Sequence, residues 1–198
     1  MTYLERMQQQ VPYVANAQQA PQQLQQQAKH LCWQLNQLDP TCQTARQALM
    51  TTLFGTVQAN TFVMANFNCD YGFNIHFQGF AYVNDNCTIL DTSPVIIGAG
   101  AFLAPGVVLA CAGPALVAEQ RAQGVRTSAP ITLAENVWLG ANTVVAGGVT
   151  IGAGSVIGAN SFVNRDIPAG VVAVGSPCQV LRPVTAADRL QVEQFDIK

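Results

Sequence analysis

The sequence is short of charge. Asp, Glu, Lys and Arg together make up 10% of its 198 residues, against about 25% in an ordinary globular chain. Nine basic residues are scattered through a chain of net charge −2, so there is no electrostatic footprint for a nucleic-acid partner. Long apolar runs are lacking as well: no stretch reaches the ~20 residues that span a bilayer, so no membrane partner is expected. The N-terminus has no basic region followed by an apolar run, and no signal peptide is visible. Six cysteines, Cys32, Cys42, Cys69, Cys87, Cys111 and Cys178, include no CxxC pair and read as reduced thiols in a cytoplasmic protein. There are two histidines, His30 and His76. No cluster of His, Cys and acid has ligand spacing, so no metal site is expected. Such a weakly charged surface fits an assembly that hides surface between subunits, or a solenoid faced with Ala, Val, Asn and Thr.

Glycine is also missing from the first part of the chain, up to Gly55. That region is rich in Gln. Leu24, Leu31, Leu35 and Leu38 recur at roughly helical spacing with Trp33 nearby; Pro40 breaks the run, and Ala45, Leu49 and Leu53 suggest another short helix. Two or three helices are predicted here.

Beyond it the pattern changes. Leu133, Leu139, Val145, Ile151, Ile157 and Val163 are aliphatic at an interval of six, each followed by a small or polar residue. Phe77, Val83 and Ile89 show the same interval, which resumes after a shift of two with Ile97, Leu103 and Leu109. A period of six suits neither a helix nor a hairpin. It suits a coil in which each hexapeptide makes one flat face with one aliphatic side chain pointing inward, three faces closing a triangular turn. The small residue that follows lies at the corner, where bulk would clash. The predicted fold class is mainly β: a left-handed parallel β-helix of hexapeptide repeats behind a short α-helical N-terminal segment. The boundaries read as a helical segment over 1–57, the coil over 58–182 with a polar, irregular loop excursion at 110–130, and a tail over 183–198.

The stretches NCDYGFNIH (68–76), YVNDNCTILD (82–91), PITLAENVWLGANTVVAGGVTIGAGSVIGANSFVNRDIP (130–168) and VGSPCQVLR (174–182) resemble the sugar O-acetyltransferases of the hexapeptide-repeat superfamily, nearest to the maltose and galactoside acetyltransferases. The resemblance covers nearly the whole chain, its helical leader included. It implies a homotrimer that transfers acetyl from acetyl-CoA to a small-molecule sugar hydroxyl, with active sites between neighbouring coils. By position it puts the family's catalytic asparagine on Asn84 and an aromatic sugar contact on Tyr82. It puts the tryptophan of the CoA channel on Trp138, and basic residues that meet the cofactor's phosphates on Arg165 and Arg182. His76 matches a histidine that the family carries outside its catalytic pair.

The chain departs from that pattern at the general base. Aligned without gaps between PGV (105–107) and PIT (130–132), the position of the loop histidine is Pro114. The leader aspartate that contacts sugar is also absent from PYVANA (12–17). The resemblance therefore implies an acetyl-CoA-dependent O-acetyltransferase impaired by loss of its base, with a CoA-binding silent homologue or a trimeric scaffold as alternatives. Cys111, three residues before Pro114, is the candidate for substitute chemistry.

Overall fold

The computed structural model describes residues 2–190, so part of the tail expected over 183–198 lies outside the described residues. The chain winds into a left-handed parallel β-helix with three faces. One face is a four-stranded sheet in the order Thr150–Ile151, Ile131–Leu133, Val95–Ile97, Ile75–Phe77. A second is a five-stranded sheet from Phe162–Val163 through Val144–Ala146, Val108–Ala110 and Thr88–Leu90 to Asn68–Cys69. The third has seven strands, from Gln179–Pro183 through Val171–Val174, Val156–Ile157, Trp138–Leu139, Ala101–Leu103 and Ala81–Val83 to Thr61–Val63.

The periodic aliphatic residues form the core. Phe77, Ile97, Leu133 and Ile151 stack in register on the first face. Val83, Leu103, Leu139 and Ile157 do so on the seven-stranded face, and Ile89, Leu109, Val145 and Val163 on the five-stranded face. All are at most 1% exposed. Burying each such side chain contributes about 1.5–3 kcal/mol. Each hexapeptide turns a second residue inward, two places earlier: Ile75, Ala81, Cys87, Val95, Ala101, Val107, Ile131 and Val137 are all buried. Each repeat thus turns two residues inward where one was expected, because alternation along extended backbone puts residues two apart on the same side. Corner crowding is real where glycine follows: a Cβ at Gly140 would lie 2.6 Å from the backbone nitrogen of Ala159.

The leader holds three helices, and the second and third pack on the core of the first turn. α1 (Tyr3–Met7) opens with a capping box between Thr2 and Glu5. α2 (Gln22–Gln37) and α3 (Gln43–Leu53) flank Pro40. The buried stripe of α2 is Ala28, Cys32 and Leu35; Trp33 is exposed and stacks on His30 at 5.7 Å. The face expected from the leucines is thus rotated toward smaller side chains, which let the helix approach Cys69 and Phe67. Asn36 donates to the Phe67 carbonyl and accepts from its amide, which satisfies backbone at the open end of the coil. At the other end Gln179–Pro183 pairs antiparallel with Val171–Val174.

The excursion at 110–130 is ordered, contrary to the irregular loop expected. Ala112–Pro114 and Tyr13–Asn16 both pair antiparallel with Val125–Ser128, and α4 (Ala118–Ala122) forms the tip. Polar composition hid this sheet because one of its strands comes from the leader, about a hundred residues away in sequence.

Candidate functional site

Three residues named from sequence come together. Tyr82, Asn84 and Trp138 line one shallow cavity of about 260 Å³ with Phe102, Leu103 and Ala104. Tyr82 and Trp138 occupy outward positions two turns apart on the seven-stranded face, with Phe102 paired between them. Phe62 pairs with Tyr82 on the other side, so four aromatic rings run in a row. Neighbouring centroids are 6.4 Å apart for Phe62–Tyr82 and for Tyr82–Phe102. Phe62, Phe102 and Trp138 stay 45%, 47% and 52% exposed. Phe62 and Phe102 extend the row beyond the residues named from sequence; their signal is an aromatic directly before the inward aliphatic, at intervals of 20 in Phe62, Tyr82 and Phe102.

Asn84 follows the strand Ala81–Val83 at a corner of the coil. Its Oδ1 accepts from the amide of Asp85 at 2.9 Å, which orients the side chain and leaves Nδ2 as a donor. The same outward row continues past Trp138 through Val156 and Val172 to Arg182. Three strand spacings of about 4.8 Å separate the two ends. Arg182 is already engaged: its guanidinium donates to both Asp188 carboxylate oxygens, at 2.8 and 2.7 Å. Arg165 is exposed at a corner that follows the five-stranded face, away from Trp138, and no carboxylate pairs with it among the described residues.

Pro114 lies apart from Asn84. It ends the first strand of the hairpin, opposite Arg126, and lines a cavity of about 270 Å³ with Gly113, Val125, Ala17, Arg121 and Arg126. A larger cavity of about 470 Å³ runs under the hairpin between Tyr13, Cys111, Ser128, Val144 and Phe162. Asn84 lines neither.

The hairpin is fixed by buried hydroxyls. The Ser128 hydroxyl meets those of Thr92 and Ser93 at 2.7 Å each, and Tyr13 donates to the Thr92 carbonyl at 2.6 Å. Below them Asp91 is fully buried. Its carboxylate accepts from the amides of Asp70 at 3.0 Å and Tyr71 at 2.8 Å. Burial pushes its pKa up to about 6.

Cys111 does not supply substitute chemistry. It is buried, its thiol donates to the Ser93 carbonyl, and burial pushes its pKa up to about 12. A thiol so protonated is a poor nucleophile or base. His76 lies in a coil strand with Nδ1 3.2 Å from the Thr56 hydroxyl, and burial lowers its pKa. Among the described residues no group of three His, Cys, Asp or Glu could hold a metal ion, and no helix is long and apolar enough to cross a membrane.

Known proteins resemble this chain in sequence and in fold. Residues 130–165 match the family described as bacterial transferase hexapeptide (six repeats), and residues 6–58 match the maltose acetyltransferase hexapeptide capping motif. Galactoside O-acetyltransferase of Escherichia coli (strain K12) is 37% identical over 161 residues, which is 81% of this chain and 79% of that protein. The crystal structure of a maltose O-acetyltransferase from Clostridium difficile 630 superposes with a TM-score of 0.85 at 33% identity, covering 93% of this chain and 98% of that one. A hexapeptide-repeat acetyltransferase from Vibrio cholerae O1 biovar eltor, complexed with acetyl coenzyme A, gives a TM-score of 0.83 at 32% identity, covering 93% and 100%.

Proposed function

This chain belongs to the hexapeptide-repeat acetyltransferases, the family of the maltose and galactoside enzymes, and we propose that as a homotrimer it acetylates a sugar or related hydroxyl compound from acetyl-CoA. The observation that carries this reading is the meeting of Tyr82, Asn84 and Trp138 in one cavity. The exposed aromatic row beside them supports stacking of the CoA arm and burial of that face between subunits. Arg165 and Arg182 are the cations proposed for its phosphates.

The reaction forms an ester C–O bond and breaks the thioester C–S bond, and the acceptor's hydroxyl proton ends on the CoA sulfur. Acetyl-CoA supplies the activated acyl group. Asn84 contributes its free Nδ2 donor, suited to an acyl or acceptor oxygen on which charge develops. Pro114 carries no proton acceptor, so the hydroxyl is deprotonated without the family's base. Loss of such a base typically costs about 10²–10⁴-fold, and slow turnover follows. The separation of Pro114 from Asn84 within one chain fits a site completed by a neighbouring subunit.

Calorimetric titration with CoA and acetyl-CoA, with light scattering on the same sample, tests this. A trimer that binds CoA at sub-millimolar concentration and releases thiol slowly with sugars present is the expected result. Binding without any thiol release would favour a silent homologue. A stable monomer, or no binding at millimolar CoA, would overturn the proposal.

A further inference from the structure

The cavity beside Pro114 contains two cations without a counter-charge. Arg126 faces Pro114 on one neighbouring strand and Ala15 on the other, and cross-strand partners share a face. Arg126 is half-buried, and its Nε donates to the Tyr3 hydroxyl at 3.2 Å. Arg121 donates from Nη1 to the carbonyls of Ala115 and Leu116, at 2.8 and 3.1 Å. One nitrogen of each guanidinium is thereby anchored to neutral groups. Both terminal nitrogens of Arg126, and two nitrogens of Arg121, are left to donate. Among the described residues no carboxylate lies within ion-pair distance of either. The rest of the lining is Ala17, Ala112, Gly113, Pro114, Gly124 and Val125, small or apolar throughout.

The surroundings of Arg126 do not neutralise it. Its charge acts on the phenols of Tyr13 and Tyr71, yet burial holds both near pKa 12 and hence uncharged. The Tyr71 hydroxyl is buried and has no hydrogen-bond partner. A half-buried cation left uncompensated is unfavourable, and an anchored guanidinium is a preformed fork for a carboxylate or phosphate.

We infer that the acceptor of this enzyme carries an anionic group, a carboxylate or a phosphate, held by Arg126 and Arg121 in the cavity beside Pro114. This rests on the acetyl-transfer reading for its catalytic meaning, but binding is measurable without turnover. An anion anchored there stands in for the hydrogen bonds that a simple hexose would donate to the absent leader acid.

The test uses the full chain loaded with CoA. Calorimetry compares methyl galactoside with galacturonate, and galactose with galactose 6-phosphate; thiol release from acetyl-CoA is followed with the same four compounds. At least one anionic probe should bind tenfold or more tightly than its neutral counterpart, and which one does so identifies the anion. Arg126→Gln should abolish the preference, while Arg126→Lys should restore part of it. Thermal melts keep a folding defect distinct from a binding defect. Equal affinity for neutral and anionic probes with thiol release observed overturns the inference and leaves the acetyltransferase reading standing. An anion preference that depends on Arg126, without transfer to any probe, supports the site and counts against turnover. If nothing binds and nothing is acetylated, both fail.

Discussion

The thiol of Cys32, on the inner face of α2, lies 3.5 Å from the thiol of Cys69 in the first turn of the coil. Both are buried. Their hydrogen bond favours proton loss from Cys32 and opposes it at Cys69. A bond would require the sulfurs to close to about 2.05 Å. It would tie the helical leader to the coil across 37 residues of sequence, a loop for which chain entropy gives about 4 kcal/mol. Incubation with excess oxidised glutathione is expected to yield a disulfide, read as a mass loss of two hydrogens and a rise in Tm. Cys69→Ala should block both. An unchanged mass after prolonged exposure would show that the pair is inaccessible or wrongly oriented.

Asp91 gives stability a pH dependence of defined sign. Its folded pKa of about 6 lies above the ordinary carboxylate value, because burial penalises the charge more than its amide donors favour it. The folded state therefore holds this proton more tightly than the unfolded state. The contribution is fully present below about pH 4 and is lost as pH rises through about 6, by on the order of 2–3 kcal/mol. Urea titrations at stepped pH should show this fall, and Asp91→Asn should flatten it. A stability that rises across that window in the wild type but not in the variant would reverse the assignment.

Arg182 is held by Asp188, whose own pKa is drawn down to about 2 by that contact. On the CoA reading, a phosphate must share or displace this carboxylate. Asp188→Asn is expected to raise CoA affinity by roughly two- to fivefold at low salt, as for exposed ion pairs, with the gain vanishing at high salt. Arg182→Ala should lower it. Calorimetry on both variants checks this, and an unchanged affinity in each would remove Arg182 from the site.

Pro114→His places an imidazole at the strand end opposite Arg126. It is expected to raise acetyl transfer at least tenfold, within the ~10²–10⁴-fold range of a general base. The assay is thiol release from acetyl-CoA at high acceptor concentration, over neutral and anionic sugars. No gain in a folded, trimeric variant would mean that this hairpin no longer presents its residue 114 to the acceptor.

The coil was legible because its signal is local and repeated. A hexapeptide periodicity carries the same instruction in every turn, and Leu133 through Val163 are buried as that instruction requires. The leader helices were legible in position but not in facing: Cys32 and Ala28, rather than Leu24 and Leu31, meet the coil most closely, and that choice depends on the shape of the first turn. Tyr82, Asn84 and Trp138 could be named singly from sequence, yet only the parallel register of the seven-stranded face brings Tyr82 and Trp138 within one row.

Arg126 was invisible as a site residue. Its neighbours Pro114, Ala15 and Tyr3 come from two other strands and a helix, and nothing in its flanking sequence announces them. By itself the sequence determined the solenoid, since short-range alternation and corner size act within each repeat. Tertiary structure decided which charges lie beside Pro114, because antiparallel pairing between the leader and the excursion joins segments more than a hundred residues apart, and only closure of the chain sets that register.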